Sequence, residues 1–117
     1  MRLHHVNLTV PPGRSQPIAA FYCDVLGFTT IARPDNERAG VWLEMQDGTQ
    51  LHLSERDGAP HPDQHFAVMV DDLASVRERL REAGATFHPA EDVFDTGGRG
   101  FVYDPAGNRV ELIATAP

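Results

Sequence analysis

The segment NRVELI at residues 108–113 decides the fold, because it follows the turn DPAG and carries one carboxylate, Glu111, within an apolar run. A related segment in the first half of the chain, GTQLHL at 48–53, also places a polar side chain, His52, four residues after a glycine. The other repeated pair is HVNLTV at 5–10 and HFAVMV at 65–70. This repetition predicts one structural module that is used twice.

Each half of the sequence predicts a strand, a helix and three further strands. The predicted strands cover residues 5–10, 28–31, 41–45 and 49–54 in the first half, and 65–70, 85–88, 99–103 and 108–114 in the second. Between the halves lies a stretch with glycine and prolines but no apolar periodicity. We therefore predict an α+β domain with module one at 1–54, a linker at 55–63 and module two at 64–117.

The two predicted helices have recognisable ends. Ser15 is a candidate N-cap for the first, and Gly27 is well placed to end it. The second is expected to begin after Asp71 or Asp72 and to end at Gly84. Each helix has apolar residues on one face, so each is expected to cover one face of its module's sheet.

Composition excludes several classes of function. A net charge of −7 argues against a nucleic-acid-binding groove, which needs clustered lysine and arginine. No apolar run approaches the roughly 20 residues of a membrane-spanning helix. The single cysteine, Cys23, cannot form an internal disulfide, and this favours a reducing cytoplasm. Neither a nucleic-acid partner nor a membrane span is therefore expected.

Strand alternation places the candidate site residues on one face. His5 faces away from Val6 and Leu8, and His65 faces away from Phe66 and Val68. His52 and Glu111 likewise lie between apolar neighbours. Imidazole and carboxylate groups suit Zn, Ni, Fe, Mn or Co. The four side chains His5, His52, His65 and Glu111 are therefore candidate ligands of a divalent metal ion.

Several motifs together resemble the vicinal oxygen chelate (glyoxalase/bleomycin resistance protein/dioxygenase) superfamily. They are His5-Val6, Phe21-Tyr22 followed by Leu26-Gly27-Phe28, His65-Phe66-Ala67-Val68, and the run from Asp104 to Glu111. The resemblance implies two tandem βαβββ modules that form a curved, cup-shaped eight-stranded sheet around a metal. It places the ligands at His5, His52, His65 and Glu111; members with three ligands lack the one at His52.

The resemblance implies a small metal-dependent enzyme with glyoxalase-like lyase or isomerase chemistry on a small-molecule substrate with two vicinal oxygens. Glu111 would be its catalytic base. True glyoxalase I has glutamate where this chain has His52. The alternatives are a fosfomycin-type thiol transferase, a bleomycin-type antibiotic-sequestering protein and an extradiol-type dioxygenase. Family members usually pair, so a homodimer is expected.

Alternation also predicts residues that bind the substrate. Arg99, Phe101 and Tyr103 share one strand face, and Trp42 lies on the corresponding face of the first module. Arg99 is a candidate to hold a substrate carboxylate or phosphonate. Without a metal, the charge of Glu111 is expected to be compensated only partly, by the neighbouring Arg109.

Overall fold

The predicted order of strand, helix and three strands is present in both halves of the computed structural model, which describes residues 1–35 and 38–115. The chain divides into two units, Met1–Pro60 and His61–Pro117. The first contains β1 (His5–Val10), α1 (Ser15–Leu26), β2 (Thr29–Ile31), β3 (Gly40–Glu44) and β4 (Gln50–Glu55). The second contains β5 (His65–Val70), α2 (Leu73–Glu82), β6 (His88–Pro89), β7 (Arg99–Tyr103) and β8 (Arg109–Ala114).

The two sheets have the same topology. Each has four strands in the order first, fourth, third, second, namely β1-β4-β3-β2 and β5-β8-β7-β6. In each, the first and fourth strands pair in parallel, and the remaining pairs are antiparallel. The two βαβββ modules and the α+β class are therefore confirmed. β6 is the element that differs most from its prediction, because only two residues pair with β7.

Each helix covers the apolar face of its own sheet. In the first unit, Ile18 and Tyr22 of α1 are buried, as are Leu43, Leu51 and Leu53 of the sheet. The buried residues of the second unit are Val76 and Leu80 of α2 with Val102, Val110 and Leu112. Burial of these side chains supplies the main driving force for folding in each unit. The opposite face of each sheet carries the polar residues.

One predicted helix cap is wrong and the other is confirmed. Ser15 is the first residue of α1 rather than its cap, and its hydroxyl donates a hydrogen bond to the Glu55 carboxylate at the end of β4. The Gly13 N–H donates to the same carboxylate at 2.6 Å. A strand residue thus neutralises this helix terminus. In α2, the Asp72 side chain accepts from the Ser75 N–H, which selects Asp72 over Asp71 as the cap.

The helix ends otherwise follow the sequence. Gly27 ends α1 in a left-handed conformation, with a φ of 76°. Among the helices of the described residues, none is long and apolar enough to cross a membrane.

Candidate functional site

The polar face of the first unit is built around His52 in β4. The strand register places Asn7 on one side of His52 and Trp42 on the other. His5 and Gln50 lie one step further along the same face. This arrangement requires only strand alternation and the pairing of three strands, both of which the sequence pattern encodes.

His52 lies in a stack of three rings. Its ring is parallel to that of Trp42, with centroids 3.9 Å apart and an interplanar angle of 1°. On its other side the His5 ring stacks at 4.1 Å and 15°. Its Nε2 atom is hydrogen-bonded to Gln50 Oε1 at 2.8 Å. Because of this packing His52 is only 6% exposed.

These surroundings keep His52 neutral. Burial is the main cause that lowers its pKa to about 4, and the electrostatic effects of the neighbouring His5, His4 and Arg33 side chains act in the same direction. At neutral pH the imidazole is therefore uncharged. A metal ligand must be in this form, since the protonated ring has no free lone pair.

The polar face of the second unit is built around Glu111 in β8. Glu111 is 5% exposed, and its two carboxylate oxygens have different partners. Arg99 Nε donates a hydrogen bond to Oε1. His65 Nε2 lies 3.3 Å from Oε2. The charge of Glu111 is thus compensated within its own sheet, which permits its burial.

The partner of Glu111 differs from the sequence-based expectation. Arg99, on the neighbouring strand β7, forms the ion pair, and the expectation that Arg109 would do so is wrong. The guanidinium of Arg109 instead lies on the ring of Phe101, with Cζ 3.8 Å from the ring centroid. Phe101 is directly opposite Glu111 in the register, and its ring is the surface on which the Arg109 guanidinium lies.

Arg99 also connects Glu111 to the preceding loop. Its Nη1 donates to the Glu91 carbonyl oxygen at 2.6 Å. The rings of Phe94 and Phe101 lie 5.8 and 5.1 Å from its Cζ atom. The cation that the sequence predicts as a substrate ligand is therefore engaged by groups of the protein itself, and it fixes the orientation of a carboxylate.

The other predicted substrate residues occupy different environments. Trp42 is half-buried against the His52 ring. Phe101 is half-buried and also contacts His65 edge-to-face, with ring centroids 5.4 Å apart. Tyr103 is 46% exposed and lies at the end of β7. Trp42 and Phe101 are thus packed beside the candidate ligands, whereas Tyr103 lies further from Glu111.

The structure forms two pairs of candidate metal ligands, one in each unit. The first pair is His5 with His52, and the second is His65 with Glu111. Within either unit, the described residues contain no group of three metal-ligating side chains. In the second pair, His65 Nε2 and Glu111 Oε2 are 3.3 Å apart. Two adjacent donor atoms that bind one ion with bonds of about 2.1 Å are separated by about 3.0–3.4 Å, so this distance is compatible with a shared ion. The donor types and this spacing fit a divalent metal.

Gln50 was missed from sequence, and the position of Arg109 beside His65 was not expected. Gln50 fixes the ring of His52, and Arg109 adds a cation beside His65, with which it pairs in register. Alternation alone could have placed both, because each lies two residues before a candidate ligand and therefore on the same face.

Comparison with known proteins identifies the fold. The family model of the Glyoxalase/Bleomycin resistance protein/Dioxygenase superfamily matches residues 2–112. None of the curated proteins matches the sequence. Several solved structures are similar over almost the whole chain, although their sequence identities are low.

Three of these structures illustrate the range. A protein of Bacillus anthracis assigned to the glyoxalase family has 24% identity and a TM-score of 0.87, with 98% of this chain and 95% of that chain covered. A variant of the fosfomycin resistance protein FosX of Listeria monocytogenes, in complex with Mn(II) and dihydroxypropylphosphonic acid, has 18% identity, a TM-score of 0.83 and coverage of 98% and 92%. The oxidase ChaP-H2 has 24% identity, a TM-score of 0.77 and coverage of 100% and 94%.

Proposed function

Because the chain belongs to the Glyoxalase/Bleomycin resistance protein/Dioxygenase superfamily, we propose that it is a small divalent-metal-dependent enzyme with glyoxalase-like lyase or isomerase chemistry. In this proposal His5, His52, His65 and Glu111 bind the ion, which is Zn, Ni, Fe, Mn or Co. The substrate presents two vicinal oxygens to it. The observation that carries the proposal is the buried Glu111 carboxylate, with His65 at one oxygen and Arg99 at the other.

The chemistry depends on how the protein orients its donors. A bound divalent ion would polarise the substrate oxygens as a Lewis acid. Arg99 holds Oε1 of Glu111, so Oε2 is the oxygen left to bind the metal or to accept a proton from the substrate. Gln50 fixes the ring of His52, whose lowered pKa keeps it neutral for binding. These contacts prepare the donor atoms before the substrate arrives.

The aromatic residues support this role. Trp42 lies directly opposite His52 in the register, and Phe101 lies directly opposite Glu111. Each ring therefore shields one proposed ligand from water, which strengthens electrostatic interactions at that ligand. We propose that Trp42, Phe101 and Tyr103 also contact the apolar part of the substrate.

A fosfomycin-type reaction is the second candidate. It is supported by FosX, which was solved with Mn(II) and a ligand that carries two vicinal hydroxyl oxygens. The loop before β7 ranks this reaction second, because Glu91, Asp92 and Asp95 make the loop acidic and disfavour a doubly charged phosphonate relative to a singly charged carboxylate. Bleomycin-type sequestration and extradiol-type dioxygenation are further outcomes that the same experiment distinguishes.

The test begins with metal binding. The protein is stripped with EDTA and reloaded separately with Zn, Ni, Mn, Fe and Co, and its metal content is measured by elemental analysis. We expect a stoichiometric ion in the wild type and loss of it in Glu111→Gln and His65→Gln. Glu78→Gln is the matched control, because Glu78 also pairs with an arginine but is exposed on α2. Absence of bound metal from the wild type would refute the proposal.

Activity assays then separate the candidate reactions. Each metal-loaded form is assayed with the methylglyoxal–glutathione hemithioacetal, with fosfomycin plus thiol or water, and with catechols in the presence of oxygen. Turnover of the hemithioacetal supports the proposed chemistry. Turnover of fosfomycin or of a catechol selects that alternative instead. Tight binding of bleomycin without any turnover indicates sequestration.

Assembly and location are part of the proposal. We propose a homodimer, as is common in the superfamily, because β1 and β5 are edge strands of their sheets and edges tend to be covered. A monomeric mass by light scattering at micromolar concentration would contradict it. The single cysteine is the reason to propose a cytoplasmic location.

A further inference from the structure

Arg109 is a cation on the polar face of the second unit that has no acidic partner within the described part of the chain. It is the first residue of β8, and its Cα pairs with that of His65. Its Nε atom is buried and makes no hydrogen bond. Among residues 1–35 and 38–115, no carboxylate lies within ion-pair distance of Arg109.

The charges of this face do not balance. Arg99 and Arg109 contribute two guanidinium groups, whereas Glu111 contributes one carboxylate, which Arg99 occupies. Among the residues that the structure describes, Arg109 therefore has no counter-charge, although the net charge of the protein is −7. A half-buried guanidinium that lacks an acidic partner loses hydration, and its contact with an aromatic ring compensates for this only in part. A bound anion would supply that interaction.

The geometry prepares Arg109 to bind such an anion. Its guanidinium is held on the ring of Phe101, at 3.8 Å from the centroid, and this contact restricts its rotation. The two outer nitrogens of the planar guanidinium fork, Nη1 and Nη2, make no hydrogen bond to the described residues. The Nε atom is buried and also makes none with them. A planar fork with free outer donors matches the two oxygens of a carboxylate, phosphonate or phosphate.

We propose that Arg109 binds an oxyanion of the substrate, so that the substrate class is a small carboxylate, phosphonate or phosphate that also carries two vicinal oxygens. This inference deepens the proposed function, because it concerns the substrate of the same site. It also reassigns the anion-binding role that the sequence suggests for Arg99. Arg99 positions Glu111, and Arg109 holds the substrate.

Binding of matched small probes tests the inference. Glycerate and glycerol phosphate each carry an oxyanion and vicinal oxygens, whereas glycerol has the same skeleton without the charge. Their affinities are measured by NMR titration of the full chain, with and without Mn²⁺. We expect the wild type to bind both oxyanions more tightly than glycerol. Arg109→Met should weaken oxyanion binding about tenfold or more, as expected for a charge-assisted hydrogen bond, and leave glycerol binding unchanged.

Two further variants make the result specific. Arg77→Met is the matched control, because Arg77 also lies over a phenylalanine, with Cζ 4.5 Å from the Phe87 centroid, but on the helix side of the unit. It should leave all affinities unchanged. Arg109→Lys keeps the positive charge but loses the planar guanidinium with its paired donors, so it should retain only part of the oxyanion affinity. This variant also preserves the test if Arg109→Met does not fold.

The outcomes separate this inference from the proposed function. Equal oxyanion affinities of wild type and Arg109→Met would overturn it, and so would a wild type that prefers glycerol or binds no oxyanion. Elemental analysis of the same samples reports independently on the metal. If no metal binds but oxyanion affinity depends on Arg109, the proposed function fails and the anion site stands. If metal binds and that dependence is absent, only the anion site fails.

Discussion

Replacement of Glu111 by glutamine should destabilise the metal-free protein. From the sequence two outcomes are open: loss of the charge would relieve a poorly compensated carboxylate in an apolar strand, but it would weaken a structural ion pair. In the structure that charge faces Arg99, whose side chain is only 16% exposed, while that of Glu111 is 7% exposed. Glu111→Gln therefore leaves a largely buried guanidinium without its counter-ion.

The expected loss is about 2 kcal/mol. Hydrogen bonds to charged groups contribute about 1.5–3 kcal/mol. Breaking a fully buried ion pair costs about 3–5 kcal/mol, but the loss here should be smaller because the glutamine oxygen can still accept a hydrogen bond from Arg99. For a chain of this length, about 2 kcal/mol corresponds to a decrease in Tm of roughly 8 °C. Urea unfolding in EDTA measures this loss without any contribution from a metal.

A double-mutant cycle isolates the ion pair. Arg99→Met, Glu111→Gln and the double variant are unfolded under the same conditions, and we expect a coupling energy of about 1–2 kcal/mol. The matched cycle is Arg81→Met with Glu78→Gln, an ion pair whose side chains are 71% and 54% exposed, where little or no coupling is expected. A Glu111→Gln protein as stable as wild type in EDTA, or a coupling energy indistinguishable from that of the exposed pair, would refute the reasoning.

Three further predictions concern stability. The pKa of His52 is lowered from 6.5 to about 4, so the unfolded state binds a proton more readily than the folded state. The free energy of unfolding should therefore fall by about 1–3 kcal/mol as the pH drops from 6.5 to 4. Urea unfolding of His52→Gln should show a weaker pH dependence. Ser15→Ala should cost about 1 kcal/mol in urea unfolding, because it removes the hydrogen bond from Ser15 to Glu55; an unchanged midpoint would contradict this. Gly100→Ala should cost about 1–3 kcal/mol, because a Cβ atom there would lie 2.6 Å from the His88 carbonyl oxygen and overlap the Phe87 ring; wild-type stability of the variant would show that the site can relax.

Local patterns were sufficient to predict most of the fold. Strand alternation and the repeat gave the order of elements in both units, and β1, β5 and β7 have the predicted bounds. The weakest prediction was β6, where the sequence has little alternation and pairing with β7 is limited to two residues. The cap of α1 was missed because the carboxylate at its N-terminus comes from Glu55, 40 residues further along the chain than Ser15.

The sequence by itself determined which side chains share a face, because successive residues of a strand point to opposite sides. It therefore placed His5, His52, His65 and Glu111 on the polar faces of their strands, opposite their apolar neighbours. The tertiary structure alone decided which of these groups contact each other. Glu111 pairs with Arg99 and not with Arg109, since the register of β7 against β8 brings Arg99 to the carboxylate while Phe101 holds Arg109. Such choices depend on side-chain conformation across neighbouring strands, which no local pattern in the sequence encodes.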